Sequence, residues 1–210
     1  MGGRKHATKK EERMSLRYAL LALLTVEPMT GYDLSKQFQA SVAHVWHAPD
    51  SQIYPELRRM EKDGLITGTE VIWGQRGRKT EYRITEAGRD AFRTWMNSAL
   101  PYPRERDPAH LKAAYLEWAT PDAAREQMRA HLDVYRSRRA EWAEKIDEID
   151  NDTNAMLTKR LAHNPAEDHR RIKAFKRFTY EGLIARADQE ISWAERGLAL
   201  IDELADAPVD

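Results

Sequence analysis

The chain has 210 residues, 41% apolar and 32% charged, and its 34 Lys plus Arg balance 34 Asp plus Glu to a formal net charge of zero. That leaves enough apolar side chains for one large packed core or two small ones, and it argues against a uniformly basic nucleic-acid coat or an acidic tail protein. The absence of Cys excludes a disulfide scaffold, a zinc finger and a thiol nucleophile.

Residues 1–14 hold five basic side chains (Arg4, Lys5, Lys9, Lys10, Arg13) against Glu11 and Glu12 and almost nothing apolar. They read as a disordered arm, either a solvated tail or an added set of phosphate contacts. The arm lacks the apolar stretch of a secretory signal, and no run of 18 apolar residues exists, so the expected location is the cytoplasm and no membrane span is expected. The longest apolar segment, Tyr18 to Leu24, belongs to a first helix predicted from Ser15 to Glu27. Leu16, Leu20, Leu23 and Leu24 form its buried face and Pro28 ends it.

Thr30 and Asp33 predict an N-cap for a second helix running to about Val45, with Leu34, Phe38 and Val42 on its buried face. After Ala48-Pro49-Asp50 a third helix buries Ile53, Leu57 and Met60 and leaves Gln52, Arg58, Arg59 and Lys62 outside. Pro55 is expected in its first turn, and Gly64 as its left-handed cap. Thr69 to Trp73 and Thr80 to Thr85 alternate and are β-branched, so they predict two strands joined by a loop over Gly74 to Lys79. Thr85 then caps a fourth helix whose apolar face is Ala91, Phe92, Trp95 and Met96.

Three prolines in Pro101 to Pro108 mark a linker. Beyond it, a short helix from Asp107 or Pro108 to Ala119 carries Leu111, Tyr115 and Trp118. Thr120-Pro121 opens a long one. Met128, Leu132, Tyr135, Arg139, Trp142, Ile146, Ile149, Thr153 and Met156 step by fours and threes, a heptad seam with two polar exceptions. Unbroken to His163, this helix is roughly 60 Å long. Asn151-Asp152-Thr153-Asn154 are poor helix formers and are placed to kink it. After Asn164-Pro165 a last helix runs from Ala166 to Leu204. Its first seam is Ile184, Ala187, Ile191, Ala194, Leu198 and Ile201, and its second stripe is Leu183, Trp193, Leu200 and Leu204.

A helix with two apolar faces needs more than one neighbour. Three helices do not surround two long seams, so a C2 homodimer is expected, with an intrachain antiparallel pair as the alternative. The expected dimer surface is Leu111, Tyr115, Met128, Leu132, Ile184, Ile191, Leu198 and Ile201. The expected fold is mainly α with a small β-hairpin: a winged helix-turn-helix over residues 15–100, a linker at 101–108 and an all-α dimerisation domain at 109–205.

The third helix, about four turns long and polar on one face, fits a major groove. Gln52 suits adenine, Arg58 suits guanine or a phosphate, and Tyr54 suits a phosphate or a sugar. An ordinary amphipathic surface helix has the same pattern. Arg76, Arg78, Lys79 and Arg83 lie within eight residues, opposed only by Glu81, and Gly74 and Gly77 let that loop approach a backbone. No Ser-His-Asp arrangement, Walker loop or dinucleotide loop occurs, so no enzymatic activity and no cofactor are expected. His44 with His47 and His163 with His169 lack a third metal ligand.

Thr30-Gly31-Tyr32-Asp33-Leu34, then Trp46, then Ser51-Gln52-Ile53-Tyr54-Pro55-Glu56-Leu57-Arg58-Arg59-Met60-Glu61-Lys62-Asp63-Gly64-Leu65-Ile66, and Tyr82-Arg83-Ile84-Thr85-Glu86-Ala87-Gly88, resemble the PadR-type transcriptional regulators. The resemblance is close over Ser15 to Trp95. Over Pro108 to Leu204 the chain looks like the long-helix form of that family's dimerisation region. The resemblance implies a dimeric, usually repressing regulator that binds a pseudo-palindromic operator in double-stranded DNA. It implies backbone contacts from Tyr32 and Lys36, a recognition helix around Gln52, Tyr54 and Arg58, and a wing at Arg76 to Lys79. The expected DNA surface is thus Tyr32, Lys36, Ser51, Gln52, Tyr54, Arg58, Arg59, Arg76, Gly77, Arg78 and Lys79. Met60 departs from the leucine common in the family, and Glu56 from a small residue. Glu56 is expected to put a negative charge near DNA.

Some members of the family bind small aromatic effectors. Trp118, Trp142, Trp193, Tyr115, Tyr135 and Tyr180 either line such a space or pack the core of the bundle. The rival function is a protein-interaction adaptor that keeps the winged helix and uses its helical seam for a partner. Residues 1–100 hold 16 basic and 12 acidic side chains and residues 101–210 hold 18 and 22, so the neutral total hides +4 against −4. DNA affinity is therefore expected from a few placed cations.

Overall fold

The computed structural model describes residues 16–42, 45, 48–73, 77–100 and 106–205. The chain divides into two compact units, Met1–Pro103 and Arg104–Asp210. In the first, helix α1 covers residues 16–24 and buries Leu16, Leu20, Leu21, Leu23 and Leu24. It stops short of Glu27 because the Thr25 hydroxyl donates to the Ala22 carbonyl at 2.6 Å, a local bond that competes with helix continuation ahead of Pro28. Ser15, the predicted start of this helix, lies outside the described residues.

Strand β1 (Met29–Thr30) pairs antiparallel with β3, placing Met29 opposite Tyr82 and Thr30 opposite Glu81. This third strand was not predicted, since two residues carry no periodicity. Helix α2 (Gly31–Ser41) has the predicted cap. Thr30 Oγ1 accepts from the Asp33 N–H at 3.2 Å and donates to Asp33 Oδ2 at 2.7 Å. Leu34 and Phe38 are completely buried. The helix ends at Ser41 rather than Val45, because Val42 is already its C-cap and the Val45 N–H reaches back only to the Val42 carbonyl.

Helix α3 (Asp50–Lys62) seals Ile53, Leu57 and Met60 in the core. Pro55 is its sixth residue, a turn deeper than expected, so its ring removes one helical N–H. Gly64 adopts φ +73°. The Leu65 N–H then reaches the Met60 carbonyl and the Gly64 N–H the Glu61 carbonyl, a Schellman cap.

Strands β2 (Ile66–Trp73) and β3 (Gly77–Ile84) pair from Ile66 opposite Ile84 to Trp73 opposite Gly77, giving the sheet order β1-β3-β2. Both exceed their predicted lengths. Residues such as Gly68 and Lys79 have low strand propensity and are held by the ladder. The predicted loop shrinks accordingly, and 74–76, with Arg76, fall outside the described residues. Thr85 closes the strand and caps helix α4 (Glu86–Met96). Its Oγ1 accepts from the Gly88 N–H at 3.0 Å and donates to the Gly64 carbonyl at 2.7 Å. Trp95 stacks on Tyr18 at 4.8 Å between ring centroids, while Met96 is exposed.

In the second unit, Asp107 caps α5 (Pro108–Ala113) by accepting from the Ala109 and His110 N–H groups. The single helix expected to Ala119 breaks at Ala114–Tyr115 and resumes as a 3-10 turn, Leu116–Trp118. Helix α6 (Pro121–Asp150) starts at the predicted Thr120 cap and ends at Asp150 instead of reaching His163. Asp152 takes φ +58°, and Asn154 caps a separate helix α7 (Ala155–Ala162). Thr153 and Met156 therefore leave the seam, and Leu157 is buried in their place.

Helix α8 (Ala166–Ala205) runs antiparallel to α6, as the pairs Arg125–Asp202, Arg139–Asp188 and Asp150–Arg177 require. Trp142, Ile149, Leu157, Ile172, Tyr180 and Ala187 form the core between them. Ala187 and Ala194 are completely buried, small residues where the two helices pass closely. The intrachain antiparallel pair is thus present, and it already buries Met128 and Leu132 within one chain.

Candidate nucleic-acid interface

The predicted residues of the first unit lie on α2, α3 and the wing, and most of the described ones are exposed. Helix α3 is pinned to α2 at its start, where the Ser35 hydroxyl bonds Asp50 and Gln39 Nε2 donates to the Ala48 carbonyl at 2.9 Å. With Ile53, Leu57 and Met60 facing inward, Ser51, Gln52, Arg58 and Arg59 are exposed and Tyr54 borders the surface. At the first turn of α2, Tyr32 is 58% exposed and Lys36 is exposed. Lys79 Nζ lies 4.9 Å above the centre of the Tyr32 ring, so α2 and the wing strand β3 meet through a cation–π contact.

Gly31 makes room for that junction. A Cβ there would stand 2.9 Å from Tyr54 Cε1 and 3.7 Å from Tyr82 Cε2. Tyr82 is buried, and burial raises its phenol pKa above the ordinary value, with Glu61 adding to the rise and Arg58 opposing it. Glu61 also accepts from the Gly68 N–H at 3.0 Å, which ties the end of α3 to the wing. On the wing, Gly77 and Arg78 are exposed, and Arg78 Nη1 pairs with Glu70 at 2.9 Å. In the unbound protein Arg78 is therefore partly occupied.

Glu56 is a correction. Its charge does not face DNA; the residue is 1% exposed and lies on the buried face of α3. Its Oε1 accepts from Arg17 Nε at 2.8 Å and its Oε2 from Arg59 Nη1 at 3.1 Å, while Arg17 Nη2 reaches Asp63 at 2.8 Å. Burial lowers the Arg17 pKa, but its bonds and attraction to Glu56 and then Asp63 outweigh that and leave it raised. Residues 53, 56, 57 and 60 follow the i, i+3, i+4, i+7 pattern of one helix face, so the burial of Glu56 was open to a sequence reading that did not exempt charged residues. The role of Arg17 had no local signal, because its partner is 39 residues away.

The second unit separates the predicted dimer residues. Leu111 and Tyr115 are exposed, Ile184, Ile191, Leu198 and Ile201 are half-buried, and Met128 and Leu132 are enclosed. Of the candidate effector-lining aromatics, Trp142 and Tyr180 belong to the core, Trp118 is 86% exposed, and Trp193 is stacked on His110 with His131 at its edge. His163 and His169 bond backbone carbonyls, and His44 and His47 lie outside the described residues. Among the described residues no cluster of His, Asp and Glu is placed to hold a metal, and no helix is long and apolar enough to cross a membrane.

Residues 20–94 match the model of the "Transcriptional regulator PadR-like family", and residues 105–202 match "Virulence activator alpha C-term". The negative transcriptional regulator PadR of Bacillus subtilis is 25% identical over 189 residues, spanning 90% of this chain and 98% of that protein. A probable transcriptional regulator of Mycobacterium tuberculosis is 33% identical over 87 residues, 41% of this chain and 46% of its own. Among solved structures, Bacillus subtilis PadR in complex with operator DNA superposes with a TM-score of 0.69 at 24% identity, covering 89% of this chain and 99% of that one. The same protein with p-coumaric acid gives 0.65 at 24%, covering 90% and 97%. The Vibrio cholerae virulence activator AphA gives 0.63 at 25%, covering 90% and 99%.

Proposed function

Since the chain belongs to the PadR-like family of transcriptional regulators, we propose that it is a repressor that binds a pseudo-palindromic operator as a homodimer. Each protomer inserts α3 into a major groove and lays the β2–β3 wing along the phosphates. The observations that carry this reading are the exposure of Gln52 and Arg58 on α3 and the contact of Lys79, on the wing strand, with the exposed Tyr32 of α2. Gln52 offers the amide that pairs with adenine, and Arg58 the guanidinium that pairs with guanine or a phosphate. Tyr32, Lys36, Arg78 and Lys79 supply positioning contacts that do not read sequence. The dimer fixes the distance between half-sites at about 34 Å or a multiple of it.

Two features of the relatives support the rest. The Bacillus subtilis relative is described as a negative regulator and aligns along almost its whole length, which favours repression. Its complex with p-coumaric acid supports a small aromatic acid as the ligand that releases DNA. Tyr115 and Trp118, both exposed, are the aromatics free to receive one, whereas Trp142 and Tyr180 are committed to the core.

Selection of bound sequences from random DNA tests the reading. An enriched, two-fold symmetric motif is expected. On that motif, Arg78→Ala lowers the slope of log K against log salt by about one and weakens all sequences alike. Gln52→Ala relaxes preference at one base pair by about 1–3 kcal/mol. Failure to enrich any sequence, with the dimer intact, would favour a protein-interaction adaptor instead.

A further inference from the structure

We propose that Glu56 is a positioning residue for DNA recognition: anchored by Arg17 of α1, its buried carboxylate holds the Arg59 guanidinium at the surface of α3 in position to take a phosphate. The inference rests on the DNA-binding reading above and adds two residues to it, neither of which faces DNA.

The geometry assigns each oxygen of Glu56 to a different cation. Oε1 receives Arg17 from the neighbouring helix, and Oε2 receives Arg59 from the next turn of the same helix. The side chain of Glu56 is 2% exposed, that of Arg17 23% and that of Arg59 48%, so the three form a gradient from core to surface. Arg17 is held a second time by Asp63, which fixes the anchor independently of Glu56.

Arg59 gives Glu56 one N–H from Nη1, and the guanidinium has four more. A long side chain free on a helix surface loses rotamer freedom when it binds a phosphate. Arg59 has lost part of that freedom beforehand, because a buried acceptor holds one of its N–H groups. Buried ion pairs contribute little to stability compared with apolar side chains of similar volume, so a role in orientation accounts for this one better than a role in folding.

Net charge and positioning make opposite predictions for Glu56→Gln. Removing a negative charge from a DNA-facing helix tightens binding by simple electrostatics. Loss of the Arg59 anchor weakens it. We expect Glu56→Gln in the full chain to bind the selected operator about tenfold more weakly. Its salt slope should fall by about one, the same as for Arg59→Ala. Adding Arg59→Ala to Glu56→Gln should change nothing further. Should Glu56→Gln fold poorly, Arg17→Met with Glu56→Met fills the same space with apolar side chains, and the same weakening and the same silence of Arg59→Ala are expected there. Binding as tight as wild type or tighter, or an Arg59→Ala effect that persists at full size without Glu56, overturns the proposal and leaves the DNA-binding reading intact. If the wild-type protein enriches no DNA sequence, both fall together.

Discussion

Gly88 shows how much one missing methyl group decides in the first unit. A Cβ at this position would stand 2.1 Å from the Leu65 carbonyl oxygen and 2.9 Å from Ile84 Cγ1, and the first of these is backbone that cannot swing aside. Alanine is the better helix former by about 1 kcal/mol, yet the clash is larger. Gly88→Ala is expected to destabilise the protein by about 2–3 kcal/mol, measured by urea unfolding followed by circular dichroism; an unchanged midpoint would mean that α4 shifts at no cost. Tyr180 is a second decisive residue. It is 1% exposed, and burial, with Glu148 adding to it, pushes its pKa from 10.0 up to about 12. The fold prefers the neutral phenol, so this contribution is complete below pH 10.0 and is lost as pH rises through about 12. Alkaline unfolding of wild type should therefore be steeper over that interval than that of Tyr180→Phe, and parallel curves would show that the phenol is not the group responsible. Neither effect was legible in the sequence. Gly88 stands in a motif that was recognised, but its clash partner is 23 residues away. Tyr180 was one of six aromatics read as either lining an effector space or packing the core; the fold puts it in the core, and its neighbour Glu148 had no local signal.

At the scale of elements, periodicity located nearly everything and boundaries followed local chemistry. Thr30 was legible as a cap from Asp33 three residues on and Thr120 from Pro121 at the first helical position, and Thr30, Thr85 and Thr120 each accept from the N–H three residues on. The length of the strands was not, since ladder pairing extends them through residues with no strand preference. The Asn151–Asn154 segment is the instructive case. Four poor helix formers predict a bend, and the chain instead ends one helix and starts another. The Asn151 amide bonds the Asp147 carbonyl, the Thr153 N–H bonds the Glu148 carbonyl, and Asn154 Oδ1 caps Leu157. The reversal depends on Asp152 at φ +58°, where a short polar side chain is tolerated and a β-branched one is strained. Asp152→Val is expected to cost about 1–2 kcal/mol and Asp152→Asn close to nothing, because the exposed pair with Lys173 contributes little. Equal losses in thermal unfolding for the two variants would place the effect in the ion pair instead of the backbone.

For the whole molecule, the neutral charge conceals a division of labour, +4 before residue 101 and −4 after it. The acidic half does not attract DNA, so in the proposed dimer its contribution to binding is geometric, the joining of two weakly basic winged helices. The seams read from the sequence are largely satisfied inside one chain, where α6 pairs with α8, and this moves the expected contact to what remains exposed. Leu111 is 64% exposed, Tyr115 60% and Trp118 86%, an apolar group of side chains within eight residues of α5 and the turn after it. Exposed apolar patches on a charge-rich protein mark contact surfaces. If this patch holds the dimer together, Leu111→Asp with Tyr115→Asp should give monomers in analytical ultracentrifugation while circular dichroism keeps its helical signal, because neither residue belongs to the α6–α8 core. Operator affinity should then fall by about a hundredfold or more, since a monomer binds each half-site without the effective concentration supplied by its partner. A variant that remains dimeric would move the interface to α8, where Phe175 and Phe178 are also exposed. A variant that becomes monomeric and still binds the full operator at wild-type affinity would show that the long helices do not set the half-site distance.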